Sequence, residues 1–355
     1  MASSSGPSRT CFVTAPNTVS PRAHAAAKAL GFDTRVARPN ADWVDRLPGG
    51  EDPYLVLYAQ GTRVGDIASR RPNAICKGLS ARRAEEFLAV AAEPTDKLGL
   101  AIVDRPDNRL ARWAFAAKWL EPARAEFILL QLVLAEVETA SNPGQVTRKR
   151  LYRAQQILNE RGRGWANPIA PYVRRFVFRQ GFIEHVTLNG RAFAYEGTWL
   201  LSQAPIAHLD LDELDTSVLE RFFLRTQALE KIRSLDLSGL GLGDDALKMI
   251  AKSPHLGSLR WLSLAANPVS ISGVRAIAES RRLPSLRWVN LRGTDFPANP
   301  VIDVYPGGVI EENQSPLAEA LANSVGHRVP WLSLPYTPKN SEDLLPNRYA
   351  DGYPC

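Results

Sequence analysis

Leucine-rich segments recur at a fixed spacing in the second half of the chain. Three of them read Leu-x-x-Leu-x-Leu or a close variant, and they begin at Ile232, Leu259 and Leu286, 27 residues apart in each step. In a strand the side chains alternate between faces, so the leucines would share one buried face. Helical patterns at 246–251 and 273–278 follow the first two strands. A strand and helix repeated at this period predict a short leucine-rich-repeat solenoid.

Weaker copies of the strand pattern extend the predicted solenoid in both directions. Degenerate strands lie at 183–188 and 206–211, and a last candidate lies at 329–334. The solenoid is therefore expected over 183–334, with a proline-rich insertion at 295–328. Repeat arrays need caps at their ends, and the segment before residue 183 is the expected cap.

The alternation also predicts which residues line the concave face. Adjacent parallel strands lie about 4.8 Å apart, so Trp261 and Trp288 are expected side by side as an exposed aromatic ridge. Exposed tryptophans on a rigid surface are typical anchors of protein interfaces. An alternative stays open, in which the insertion or the C-terminal tail covers the tryptophans. The residues expected on this face are His185, His208, Asp210, Ser234, Asp236, Trp261, Ser263, Trp288, Asn290, Arg292 and Trp331.

The first part of the chain predicts a small α/β domain over 10–96, after a disordered start at 1–9. Strands are predicted at 11–14, 34–37, 54–58 and 62–65. Helices are predicted at 20–30 and from 80 onward, with Ser20 and Ser80 as their N-caps. The last two strands read as a hairpin, and this order resembles a thioredoxin-like topology. The chain has no Cys-x-x-Cys, and Cys11 lies within a strand, so a buried apolar cysteine is favoured over a redox role.

The middle of the chain, 105–182, predicts helices at 107–120, 123–137 and 148–161, the last ended by glycines at 162 and 164. It contains Asp107-Asn-Arg-Leu, Trp119-Leu-Glu-Pro-Ala-Arg-Ala-Glu-Phe-Ile-Leu-Leu-Gln131 and Phe178-Arg-Gln-Gly-Phe-Ile-Glu184. These segments resemble the bacterial repeat-companion domain, which precedes leucine-rich repeats. The resemblance covers about residues 105–190 and implies a helical cap on a solenoid, and the family has no established catalytic activity to carry over. Lys118 stands where that family has an acid, so a contact made by that acid is not expected here.

Charge and composition narrow the possible partners. The chain is 45% hydrophobic and 23% charged, which is typical of globular proteins. Its net charge of +6 is concentrated at 148–179, where nine basic residues accompany one acid, Glu160. This cluster permits nucleic-acid binding as an alternative function. Solvated helix faces are the favoured interpretation, and nucleic acid is not the expected partner.

The sequence contains no signal peptide and no apolar run of about 18 residues, so no membrane association is expected. Its three cysteines are widely spaced, which argues against disulfides and for a cytoplasmic location. No catalytic motif is present. His185 and His208 lack a third ligand for a metal. We therefore expect a protein that is not an enzyme and needs no cofactor.

The C-terminal tail, 335–355, has no periodic pattern and is expected to be extended. It ends with Tyr349, Tyr353 and Cys355, which suggest a carrier or substrate protein whose tail a partner enzyme recognises or modifies. An ordinary frayed terminus is favoured over that alternative. The leading hypothesis is a scaffold that binds another protein through the concave face of the repeats.

Overall fold

A computed structural model describes residues 9–14, 19–36, 52–59, 73–137 and 145–296, together with 320, 321, 323–325, 329 and 331. The fold is mixed α/β with two separate sheets. The chain divides into two compact units. The first comprises Met1–Gly164 with Gln180–Phe182, and the second comprises Trp165–Arg179 with Ile183–Cys355. The segments predicted to be disordered or extended, 1–9 and 335–355, lie almost wholly outside the described residues.

The first unit opens with a four-stranded parallel sheet in the order β2-β1-β3-β4. The two predicted serine caps are confirmed, because Ser20 accepts a hydrogen bond from the Ala23 amide and Ser80 accepts one from the Arg83 amide. The elements are β1 (Thr10–Thr14), α1 (Pro21–Ala29), β2 (Asp33–Val36), β3 (Tyr54–Ala59), β4 (Ala74–Leu79) and α2 (Ala81–Ala91).

The predicted hairpin after β3 is corrected by this sheet. β3 pairs in parallel with β4, with Val56 opposite Cys76, and the expected partner at 62–65 lies outside the described residues. On its other edge β3 pairs in parallel with β1, so neither edge of β3 is left for the antiparallel hairpin that carried the thioredoxin-like prediction. Leu55, Val56 and Leu57 are all fully buried. Such a continuous apolar run is typical of a central parallel strand covered on both faces.

Cys11 packs in the core of this sheet, as the sequence predicted. Its side chain is fully buried beside Val13, Tyr54 and Val56. Burial raises the pKa of its thiol to about 12, and the nearby Asp33 carboxylate adds to the effect. The thiol is therefore un-ionised at neutral pH, unlike that of a redox-active cysteine.

Among the described residues, four further helices follow in the first unit. They are α3 (Thr95–Asp104), α4 (Arg109–Ala117), α5 (Pro122–Val137) and α6 (Gln145–Ala166). The predicted break at residues 162 and 164 is wrong, because α6 continues without interruption to Ala166. Glycine lowers helix stability by only about 1 kcal/mol, so two glycines near a helix end do not stop it.

Two of the three segments that resemble the repeat-companion family, 119–131 and 178–184, meet at Gly181 in the first unit. The backbone amide of Gly181 donates a hydrogen bond of 2.6 Å to Gln131 Oε1 on α5. Gly181 has a φ of +87°, and a Cβ there would lie 2.3 Å from Ile128, so only glycine fits. The fully buried Arg112 donates to the carbonyl of Gln180 at 3.2 Å and also to that of Pro106.

The second unit contains a six-stranded sheet in the order β10-β9-β8-β7-β6-β5. From β6 to β10 every pair is parallel, and residues in register are 23, 26, 27 and 27 residues apart along the chain. Its elements are β5 (Arg175–Arg179), β6 (Phe182–Asn189), α7 (Gly190–Gln203), β7 (His208–Glu213), β8 (Ser234–Asp236), α8 (Asp244–Lys252), β9 (Trp261–Ser263), α9 (Ile271–Glu279) and β10 (Trp288–Asn290). Short turns of helix occupy Ala170–Tyr172, Thr216–Val218, Arg221–Arg225 and Gln227–Lys231.

Successive strand-helix units are tied together by buried polar groups as well as leucines. The Asn267 side chain accepts a hydrogen bond from the Leu242 amide at 2.9 Å and donates to the Leu237 carbonyl at 2.8 Å. The Asp244 carboxylate accepts from the backbone amide and the hydroxyl of Ser270. Both contacts join neighbouring strand-helix segments, and the bonded residues are about 26 to 30 positions apart in the sequence. Each segment is therefore held by hydrogen bonds to the next.

Candidate protein-binding surfaces

The predicted concave row is present as a continuous register across the second sheet. Trp288 pairs with Trp261, and Trp261 pairs with Ser234. The row continues from Ser234 to His208 and on to His185. The prediction that the two tryptophans lie side by side is therefore confirmed. A second row joins Asp210, Asp236, Ser263 and Asn290 in the same way.

The prediction that the tryptophans are exposed is wrong. Trp261 is 9% exposed, and Trp288 and Trp331 are each 4% exposed. His185, Ser234, Asp236 and Ser263 are buried as well. Covering such large apolar side chains is strongly favourable in water, and the alternative in which the chain itself covers them agrees with this burial. Most of the insertion and the tail lie outside the described residues.

The polar residues of the second row are bound to each other. Ser238 Oγ donates to Asp236 Oδ1 at 2.5 Å and lies 2.7 Å from Ser263 Oγ. The Asn290 amide donates to Ser263 Oγ at 3.2 Å. Groups satisfied in this way gain little from a partner, so the row is a poor candidate for a binding surface. Among the described residues of the predicted face, only Arg292 is exposed.

Two histidines and an aspartate meet at the start of this sheet. His185 Nε2 lies 2.9 Å from Asp210 Oδ2, and the rings of His185 and His208 are 6.1 Å apart between centroids. Burial lowers the pKa of His208 well below its ordinary value, and the positive charge of Arg179 adds to the effect. His208 is therefore neutral at pH 7. Across the described part of the chain, no three side chains are arranged to hold a metal ion.

An aromatic surface on α7 was not predicted from the sequence. Tyr195 and Trp199 are one turn apart on that helix, and the Tyr172 ring lies 4.7 Å from the Trp199 ring between centroids. The Arg221 guanidinium stacks 4.1 Å from the centre of the Tyr195 ring. We call Tyr172, Tyr195, Trp199 and Arg221 the aromatic patch. All four side chains are exposed.

The patch has the composition of an interface hot spot. Tyrosine, tryptophan and arginine are the residues most enriched in such sites. The two tyrosine hydroxyls and the Trp199 indole N–H make no hydrogen bond with any described residue, so they remain available to a ligand. The signal in the sequence was the spacing of four between Tyr195 and Trp199, which places both on one face of a helix.

The basic cluster at 148–179 is divided between the two units. It is shared between α6 in the first unit and β5 in the second. Arg153 pairs with Glu126 at 2.8 Å, and Arg174 pairs with Asp212 at 2.7 Å. The tail residues Tyr349, Tyr353 and Cys355 lie outside the described residues.

Comparison with known proteins adds no relative. No family model matches the chain, and no curated protein sequence matches it significantly. Within the described residues, every helix is too short or too polar to cross a membrane.

Proposed function

We propose that this protein is a non-enzymatic scaffold that binds another protein, and that its second unit is a short leucine-rich-repeat solenoid. The parallel ladder supports the solenoid, because β6 to β10 follow one another in chain order at a spacing of 23 to 27 residues. We further propose that residues 105–182 belong to the repeat-companion family, since two of the three segments that resemble it pack together at Gly181. The widely spaced cysteines favour a cytoplasmic location.

The exposed aromatic patch carries the binding proposal. The tryptophans of the sheet are buried, so they do not serve as anchors for a partner in this conformation. The patch presents three large rings together with a stacked arginine on one accessible surface. A partner that covers these rings removes apolar area from water and also meets three free hydrogen-bond donors. We therefore place the partner-binding site at the patch.

A pair of matched variants tests this site. Trp199 and Ile271 are both 37% exposed and lie in the same unit, so Ile271→Ala is the control for Trp199→Ala. Immobilised protein is used to capture partners from a lysate of the native host, and the captured proteins are quantified by mass spectrometry. We expect Tyr195→Ala with Trp199→Ala to lower capture of one specific protein at least 30-fold, which corresponds to a hot-spot loss of about 2 kcal/mol.

The control variant and the thermal transition define the contradicting result. Both variants are expected to melt within a few degrees of the parent protein, because the altered side chains are exposed. Equal capture by the double variant and by Ile271→Ala would refute the site.

A further inference from the structure

Helix α6 has a net positive charge almost as large as that of the whole chain. Its 22 residues include six basic side chains and one acid, Glu160, a net of +5 in a chain whose net charge is +6. Two of the cations are engaged within the first unit. Arg153 pairs with Glu126, and Arg150 donates to the Ala74 carbonyl at 3.4 Å.

The remaining face of α6 presents a stripe of polar side chains. Lys149, Tyr152, Gln156, Asn159 and Arg163 follow one another at spacings of three and four residues, which places them on one face of the helix. We call these five residues the α6 stripe. At 1.5 Å per residue it extends for about 21 Å. Its aromatic member, Tyr152, is 69% exposed.

The stripe is available to a ligand. Lys149 and Arg163 are exposed and form no ion pair with any residue in the described ranges. The Gln155 amide donates to Asn159 Oδ1 at 2.6 Å, which holds the Asn159 side chain and leaves its NH₂ group as a donor. The stripe therefore combines two cations, an exposed ring and two amides. Glu160, the one acid of α6, is exposed beside Asn159 and interacts electrostatically with Arg153.

We propose that the α6 stripe binds single-stranded nucleic acid, a function separate from the proposed protein-binding scaffold. Lys149 and Arg163 would contact phosphates, Tyr152 would stack on an unpaired base, and the amides of Gln156 and Asn159 would reach base edges. Stacking on an aromatic ring beside a basic track is the common way of holding single strands.

The composition of the stripe distinguishes this ligand from other anionic partners. A helix that binds an anionic membrane needs an apolar face to enter the lipid, and the stripe has one tyrosine between polar side chains. A duplex offers phosphates but no free base face to Tyr152. An exposed ring at the centre of the stripe thus favours a single strand.

The test measures binding of the full chain to a fluorescein-labelled oligothymidylate of 15 nucleotides by fluorescence anisotropy. Two phosphate contacts on a single strand predict a slope of about −1.4 for log K against log salt, or about a sevenfold loss between 50 and 200 mM salt. Lys149→Gln with Arg163→Gln should weaken binding and bring the slope close to zero. Tyr152→Ala should weaken binding about 5- to 150-fold and leave the slope unchanged.

Arg281→Gln with Arg282→Gln is the control, because it removes two exposed positive charges from the second unit. It should bind the oligonucleotide as the parent protein does. The proposal is overturned by no binding at 50 mM salt, or by equal losses in the control and the stripe variants. It is also overturned if Tyr152→Ala leaves affinity unchanged, or if the protein binds vesicles of phosphatidylserine and phosphatidylcholine but not the oligonucleotide.

Discussion

Replacement of Asn267 by alanine should destabilise the second unit more than any exposed polar change. The side chain is almost fully buried, and it links the Leu242 amide and the Leu237 carbonyl to its own strand-helix unit. A third contact goes to the Leu264 carbonyl at 3.0 Å. A buried polar group that loses its partner costs about 1–3 kcal/mol. Asn267→Ala leaves two such groups without a partner, the Leu242 amide and the Leu237 carbonyl of the preceding strand-helix segment. We therefore expect the free energy of unfolding to fall by about 2–6 kcal/mol.

Urea denaturation followed by tryptophan fluorescence measures this loss, and hydrogen exchange read by mass spectrometry assigns it to residues 237–269. Thr294 lies at the equivalent position 27 residues later and makes a single hydrogen bond to the Leu291 carbonyl at 2.8 Å, so Thr294→Ala is the control, with an expected loss of about 1 kcal/mol. If Asn267→Ala lowered the free energy of unfolding no more than the control does, the buried hydrogen bonds would not hold neighbouring strand-helix segments together.

Asn267→Asp separates the accepting from the donating role. A carboxylate still accepts from the Leu242 amide, but it faces the Leu237 and Leu264 carbonyls without a proton to donate. Burial disfavours its charged form, so its pKa should rise in the folded state. The variant should therefore gain stability relative to the parent protein as the pH falls through that raised pKa. A stability difference that does not change with pH would exclude this explanation.

Three further outcomes follow from buried groups. Burial and the charge of Arg179 lower the pKa of His208, so the unfolded chain binds more protons than the folded protein below about pH 6.5 and stability falls on acidification. In His208→Gln the urea concentration at the unfolding midpoint should therefore fall less between pH 7 and 5 than in the parent protein. An equal fall in the two proteins would contradict this. Trp288→Ala should cost about 3–5 kcal/mol in thermal unfolding because the ring is buried, whereas a loss below 1 kcal/mol would indicate an uncovered ring. Burial raises the thiol pKa to about 12 for Cys11 and about 11 for Cys76. Iodoacetamide at pH 8 should therefore label both cysteines only after unfolding in urea. Rapid labelling of either cysteine in the folded protein, detected by peptide mass, would disprove this prediction.

Local patterns in the sequence predicted the features that depend on covalent geometry. Side chains alternate along any strand, so the spacing from Leu259 to Leu286 was enough to place Trp261 beside Trp288 in the ladder. The serine caps of α1 and α2 were equally local, since each binds an amide three residues away. The glycines in α6 were misread because their small helix penalty is outweighed by packing of the surrounding turns.

Exposure and long-range contacts were decided only by the tertiary structure. Alternation determines the face on which a tryptophan lies, but other parts of the fold determine whether that face meets water, and here Trp261 and Trp288 are buried. The aromatic patch forms because Tyr172 and Trp199, 27 residues apart in the chain, lie side by side in the fold. Likewise, β3 pairs in parallel with β4, which no local pattern near β3 predicted. A sequence pattern records what each residue prefers locally. Which surfaces stay free for a partner depends on the burial of apolar area summed over the whole fold.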